Sequence, residues 1–274
     1  MLKLIQITDC HLVPEGELLF ESDPAKGLAA AIDSVIADHA DADLVVFSGD
    51  LAHDGLPEAY AVLRRELARL PMPWQVLPGN HDKREEMLAG IPRLTADENG
   101  FLQTVREIGG LRLAFLDTVD PAVHSGAYCE GRRAWLAQAL DASAGLPTYL
   151  FMHHPPMAIA MPRLDQYGLS EPDAFASVLE GHDIRHIFFG HVHRPVSGSW
   201  RGIAFSSLPG TNHQNQLELT DGPENLSSLE PPAYAVILID GDLTVVHLHA
   251  YADKGPRFVY DPHAEAGSQI RRID

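Results

Sequence analysis

The sequence predicts an α/β layered domain, with mixed sheets covered by helices. Three observations lead there. Short apolar runs alternate with helical periods along residues 2–77, the pattern of βαβ units. Hairpin patterns enter later, at 101–118 and 233–251, which makes the sheets mixed. No internal repeat or low-complexity linker divides the 274 residues, a length that suits one large domain or two small ones.

Taken in order, "LKLIQIT" (2–8) reads as a buried strand. A helix follows, with Asp23 as N-cap, Pro24 in its first turn, and Leu28, Ile32, Val35 and Ile36 on the 3.6-residue period. "DLVVFS" (43–48) is the second strand, and Tyr60, Leu63, Leu67 and Leu70 form the core stripe of the next helix. "WQVL" (74–77) is the third strand. "FLQTVREIGGLRLAFLDT" (101–118) folds back at Gly109-Gly110 as a hairpin. Glu130 to Leu140 reads as helix. "TYLFM" (148–152) and "RHIFF" (185–189) are buried strands, separated by a helix over Pro172 to Leu179. Residues 212–232 are the longest polar stretch and read as a surface loop or lid. "AYAVILIDGDLTVVHLHAY" (233–251) is a second hairpin, turning at Gly241-Asp242.

Composition narrows the function classes. Apolar residues are 45% and charged residues 21%, an ordinary globular balance. The net charge of −18 argues against gripping a nucleic-acid polymer, which needs stripes of Lys and Arg. Two cysteines make no disulfide framework. The first residues enter a strand without a signal-type core, and no apolar run approaches the roughly 20 residues of a membrane span. The expectation is a cytoplasmic protein with no membrane partner.

Five strands end in the same kind of group. They give Asp9 and His11 in "TDCH", Asp50 in "SGD", Asn80, His81 and Asp82 in "GNHD", His153 and His154 in "MHHPP", and His191 and His193 in "GHVH". Sites in open α/β sheets form beyond the carboxyl ends of the strands, so these side chains share one crevice. Imidazole, carboxylate and amide oxygen suit divalent Mn, Fe, Co or Zn. The donors exceed the needs of one tetrahedral ion; two ions about 3.5–4 Å apart, bridged by a carboxylate, would use them all. Alternation along an extended segment puts Asp9 and His11 on one side and turns Cys10 to the core as an apolar filler. His154, and the pair His247 and His249, read as structural; Asp117 in "LDT" reads as a cap or turn.

The ordered set D-x-H, G-D, G-N-H-D, H-H and G-H-x-H, spanning residues 9 to 193, resembles the calcineurin-like metallophosphoesterase superfamily. "QITDCHL", "FSGDLAHDG", "LPGNHD", "FMHHPP" and "LPGTNHQ" are most similar to its branch of class III cyclic nucleotide phosphodiesterases and glycerophosphodiesterases. The resemblance implies a four-layer α/β/β/α sandwich of two mixed β-sheets flanked by helices. It implies one domain over 1–274, with 212–274 a lid and hairpin segment contributing to a homo-oligomer. By the same resemblance Asp9, His11, Asp50 and His193 would hold a first divalent metal, and Asn80, His153 and His191 a second, the two bridged by Asp50 and a hydroxide. His81 would be the catalytic residue beside the scissile phosphate, as an acid or hydrogen-bond donor. Asp82 would orient a neighbouring imidazole, and His213 and His124 would line the pocket or touch substrate. The implied activity is hydrolysis of small phosphodiesters, cyclic nucleotides or glycerophosphodiesters. Phosphomonoesterase, nuclease and non-catalytic scaffold are the alternatives. The Arg of the phosphatase motif G-D-x-V-D-R-G is absent from "GDLAHDG", and Phe20 stands in the loop where relatives acting on glycerophosphodiesters can carry a Tyr.

Overall fold

The computed structural model describes residues 1–142, 145–222, 224–252, 255–265 and 269–273. In chain order the elements begin with β1 (Leu2–Ile7), α1 (Pro24–Asp38), β2 (Leu44–Ser48), α2 (Pro57–Leu67), β3 (Trp74–Leu77) and α3 (Arg84–Gly90). The middle of the chain supplies β4 (Thr104–Ile108), β5 (Leu111–Phe115), α4 (Glu130–Ala142), β6 (Thr148–Phe151), α5 (Pro162–Asp165) and α6 (Pro172–Leu179). Then come β7 (Ile184–Phe188), β8 (Val196–Trp200), β9 (Ile203–Ser207), β10 (Gln214–Asn215) and β11 (Ser227–Ser228). The chain ends with β12 (Ala233–Asp240), β13 (Leu243–Ala250), β14 (Phe258–Tyr260) and β15 (Ile270–Arg272).

Eleven of the described strands form two mixed sheets, ordered β13-β12-β1-β2-β3 and β4-β5-β6-β7-β9-β8, while β10 pairs with β11 and β14 with β15. Within the first, β1, β2 and β3 run parallel, while β12 closes the other side of β1 antiparallel, with Leu4 opposite Ile237. The second has β5, β6, β7 and β9 parallel and antiparallel strands at both edges.

The two-residue pleat sorts the apolar side chains into three layers. On β1, Leu2 and Leu4 face the second sheet, and Ile5 and Ile7 face the helices. On β5, Leu113 and Phe115 face inward and Ala114 faces α4 and α6. The inter-sheet core stacks Phe115, Phe151 and Phe188, with centroids 5.3 and 4.8 Å apart. Leu28 and Ile32 of α1, with Tyr60 and Leu63 of α2, cover the first sheet; Leu136 of α4 and Phe175 of α6 cover the second. The layer order is therefore α/β/β/α. Asp23 caps α1 by accepting from the Lys26 amide at 3.2 Å. At the carboxyl end of β1 the inter-sheet core turns polar. Gln6 donates to Ser48 Oγ at 2.9 Å and across to the Phe189 carbonyl at 3.3 Å, on the threshold of the crevice.

The sequence left α3, α5 and the β8–β9 hairpin unmarked. α3 is short, with Met87 its one buried side chain, and "VSGSW" shows no apolar alternation. The surface-loop reading of 212–232 also needs correction at its start. Asn212, His213 and Gln214 are buried, because the Gln214 amide bonds both the N–H and the C=O of Gly210 and pulls the chain against the crevice.

Candidate active site

Both sheets deliver residues to one crevice. The first supplies Asp9 and His11 beyond β1, Asp50 beyond β2 and Asn80 beyond β3. The second supplies His153 beyond β6 and His191 and His193 beyond β7. Convergence does not come from strand alternation, as expected for Asp9 and His11. β1 has already ended, and the backbone is left-handed at Asp9 (φ 51°), His11 (φ 44°), Asp50 (φ 48°), His191 (φ 68°) and His193 (φ 47°). Each such residue costs about 1 kcal/mol or more, and strain of this kind gathers at functional sites. The segment is held by lacing: Asp9 N–H donates to the Gly49 carbonyl at 3.0 Å and His11 N–H to the Asp50 carbonyl at 2.9 Å. Cys10 is fully buried.

Ligating atoms of Asp9, His11, Asp50 and His193 all lie within 4.8 Å of one another. His193 Nε2 is 3.3 Å from Asp9 Oδ1, and His11 Nε2 is 3.5 Å from Asp50 Oδ2. The same Asp50 oxygen is 3.3 Å from His153 Nε2, so it stands between two groups. On the far side Asn80 Oδ1 meets His153 Nε2 at 3.2 Å and His191 Nδ1 at 2.9 Å. His11 Nε2 and His193 Nε2 face each other at 3.1 Å, and His191 Nε2 is buried without a hydrogen-bond partner among the described residues. Converging donor atoms of this kind, facing one another in a buried space, fit divalent cations among them.

The outer ring nitrogens are engaged as well. His153 Nδ1–H donates to the Ser48 carbonyl at 2.9 Å and His193 Nδ1–H to the His213 carbonyl at 2.8 Å, which leaves each Nε2 for the cluster. Burial works against the Asp9 and Asp50 carboxylates, yet His193 holds Asp9, and His153 with His11 holds Asp50, below the usual carboxylate range. Burial keeps His11 far below its ordinary value and His191 down to about 3. The His153 imidazole, which burial alone would lower, is raised to about 9 by Asp50. The centre thus keeps its carboxylates charged and its His11 and His191 imidazoles neutral, while Asp50 and Asp9 favour the protonated forms of His153 and His193.

The remaining predicted residues gather around this cluster. His81 donates its backbone N–H to Asp50 Oδ1 at 2.9 Å, and its Nδ1–H to the His53 carbonyl at 2.7 Å. His124 Nδ1 accepts from Asn80 Nδ2 at 3.2 Å. His213 lies against His193, with centroids 4.5 Å apart, and Phe20 covers it at 4.3 Å. Asp82 departs from expectation. Its carboxylate accepts from the amides of Leu51, Ala52 and Gly79 and from the Tyr60 hydroxyl, and among the described residues it holds no imidazole. It fastens the Asp50 loop to the Asn80 loop. His154 is tied to Thr118 Oγ1 at 2.7 Å and to the His124 carbonyl at 3.1 Å, a structural role. Asp117 accepts the Val119 amide as a turn residue would, and is also gripped at both oxygens by Arg84. His249 stacks on Tyr234 at 5.0 Å, away from the cluster. One site neighbour escaped the sequence reading: His53, whose Nδ1 is 3.2 Å from His11 Nδ1. Its signal was its place in "GDLAHDG", three residues beyond Asp50.

Glycine makes the close approach possible at two points. A Cβ on Gly79 would strike the Asp50 backbone nitrogen and carboxylate. A Cβ on Gly49, where φ is +97°, would strike the His153 ring. Beside Asn80 and His81 opens a cavity of about 550 Å³, also lined by Lys83, Arg84, Leu88 and Val119, large enough for a small substrate.

Carboxylates and imidazoles converging from two sheets of an α/β/β/α sandwich, beside an open cavity, define a metal-dependent hydrolase. The calcineurin-like phosphoesterase model matches residues 2–195, and the chain belongs to that family. It is 38% identical over 261 residues to a probable cyclic nucleotide phosphodiesterase of Rhodopseudomonas palustris, covering 94% of this chain and 95% of the relative. It is 27% identical to the glycerophosphodiester phosphodiesterase GpdQ of Enterobacter lignolyticus, over 98% of both chains. Among solved structures, a dimetal phosphatase from Danio rerio shares the fold, with a TM-score of 0.70 and 17% identity over 92% of this chain and 97% of that one.

Proposed function

We propose that this protein is a dinuclear metal-dependent phosphodiesterase acting on small phosphodiesters. The observation that carries the proposal is the convergence of Asp9, His11, Asp50 and His193 within 4.8 Å, with Asp50 shared toward Asn80, His153 and His191. The first four residues would hold one divalent ion and the last three, with Asp50 as bridge, the other. Bound there, two cations neutralise the diester's charge and activate the attacking water.

The chain's own residues supply the rest. His81 is anchored through Nδ1–H to the His53 carbonyl, which leaves Nε2 toward the leaving oxygen; in its imidazolium form it would pass the Nε2 proton to that oxygen and return to the neutral Nδ1–H tautomer. His124 turns Asn80 by taking its amide hydrogen, which presents Oδ1 to His153 and His191. His213 and Phe20 wall the opposite side. The cavity beside His81 receives the alcohol part of the substrate. Relatives named for cyclic nucleotides and for glycerophosphodiesters both support a small diester. The ions are drawn from Mn, Fe, Co and Zn. A scaffold role is disfavoured because each proposed ligand position keeps a competent donor.

Two further parts belong to the same reading. Exposed Phe258, Tyr260 and Ile270 on β14 and β15 would serve a homo-oligomer, and the exposed Leu217 and Leu219 segment a lid. Unpaired Cys10 and Cys129 suit a reducing cytoplasm.

The test is hydrolysis of bis(p-nitrophenyl) phosphate against p-nitrophenyl phosphate by metal-stripped protein refilled with Mn²⁺. Strong metal-dependent diesterase activity with little monoesterase activity is expected. A panel of 3′,5′-cAMP and glycerophosphodiesters then selects the substrate. Inactivity with each of Mn²⁺, Co²⁺, Fe²⁺ and Zn²⁺ would overturn the reading.

A further inference from the structure

We infer that His53 is a positioning residue for the metal cluster: its Nδ1 accepts the hydrogen of His11 Nδ1, which turns the lone pair of His11 Nε2 toward Asp50 and His193. The inference rests on the metal-centre reading above.

The two Nδ1 atoms are 3.2 Å apart, and a neutral pair at that distance shares a single hydrogen. If His53 carried it, His11 would be the Nε2–H tautomer. That hydrogen would occupy the position where Nε2 is to ligate, 3.1 Å from His193 Nε2. With the hydrogen on His11 Nδ1, Nε2 is a free donor. His153 and His193 are set the same way, but by backbone carbonyls, those of Ser48 and His213. At His11 the corresponding acceptor is a side chain, and so can be removed without touching the main chain.

His53 is well placed for the role. Its N–H donates to the Leu12 carbonyl at 2.9 Å, and Leu12 pairs with Ala52 in a parallel bridge. The Leu51 and Ala52 amides are pinned by Asp82. From this fixed base the ring stacks on His81, with centroids 5.0 Å apart and planes 17° apart, and the His53 carbonyl takes the His81 Nδ1–H at 2.7 Å. One residue thus sets the free nitrogen of His11 with its side chain and that of His81 with its backbone. Outer partners of metal-bound imidazoles act in this way in general.

The experiment is calorimetric titration of Mn²⁺ into metal-stripped wild type, His53→Phe and His53→Asn. The Asn Oδ1 replaces Nδ1 as acceptor, whereas Phe keeps only the ring. Expected is a loss of about 10–100-fold in the affinity of one of two sites in His53→Phe, and a loss within about threefold in His53→Asn. Wild-type affinity in His53→Phe, or equal losses in the two variants, would overturn the inference while leaving the metal centre intact. Failure of the wild type to bind Mn²⁺ would overturn the metal-centre reading, and this inference with it. Should His53→Phe not fold, long-range ¹H–¹⁵N spectra of metal-free wild type decide. His11 as the Nδ1–H tautomer supports the assignment, and the Nε2–H tautomer overturns it.

Discussion

The Asp82 carboxylate accepts from three buried amides and a phenol, with distances of 2.8 to 3.0 Å. Asp82→Ala would strand all four donors, so it should cost about 3–5 kcal/mol in urea unfolding. A loss below about 1 kcal/mol would show that water replaces the carboxylate. The same reasoning separates what was readable here from what was not. Asp9, His11, Asp50, Asn80, His153, His191 and His193 were legible because each sits where an apolar strand stops, and strand ends converge. The purpose of Asp82 was not, because its partners Leu51, Ala52 and Tyr60 lie 22 to 31 positions away. His53 was passed over because a single loop histidine has no pattern to mark it. At Phe20, against His213, Phe20→Tyr would put a hydroxyl at the rim. A change in the ratio of cAMP to glycerophosphodiester turnover, with metal affinity unmoved, is expected; an unchanged ratio would remove Phe20 from substrate selection.

Strand ends make the next scale. The Pro-Gly after β3 stops the strand and lets its backbone touch Asp50. Gly79→Ala would push Asp50 from between the two groups of ligands. It should reduce diesterase activity by at least about 10²-fold, in proportion to a misplaced catalytic group, while far-ultraviolet circular dichroism stays native. Retained activity would mean the loop yields. On β7, His186 is buried, stacks on Phe188 at 4.1 Å and bonds Ser206 Oγ at 2.9 Å. Burial lowers its pKa from 6.5 to about 4. Between those values the unfolded chain binds more protons than the native one, so stability rises with pH across the window and is fully present above it. Acidification through that window should remove on the order of 3 kcal/mol through this group. Urea titrations at pH 7 and pH 4.5 should show a smaller loss in His186→Gln than in wild type; equal losses would refute it. Long apolar strands and the Gly109-Gly110 turn were legible from period and turn chemistry. α3 was not, since Arg84, which anchors it to Asp117, reads in sequence as a surface charge.

For the whole molecule, the alternation of βαβ units with hairpins was enough to foresee mixed sheets, but not that the last hairpin returns to the first sheet. β12 pairs with β1 across more than two hundred residues, a distance that local patterns do not encode. Because Asp9, Asp50 and their imidazoles are buried together, bound metal stabilises the fold by mass action. At a metal concentration of about 100 Kd this is worth about 2.7 kcal/mol, so chelation should lower the melting temperature by roughly 5–10 °C. A melting temperature insensitive to chelator would argue against metal in the cluster. The placement of β12 also has a consequence for synthesis. All the side chains of the cluster, through His213, leave the ribosome before Ala233 does. Until then one edge of β1 is bare, and Ile237 and Ile239 are missing from between the sheets. A nascent chain therefore carries its chemistry before it can close its shape. Released after residue 232, it would expose an apolar strand edge and aggregate, with metal or without, so protection by a chaperone matters most until β12 has been made and has paired with β1.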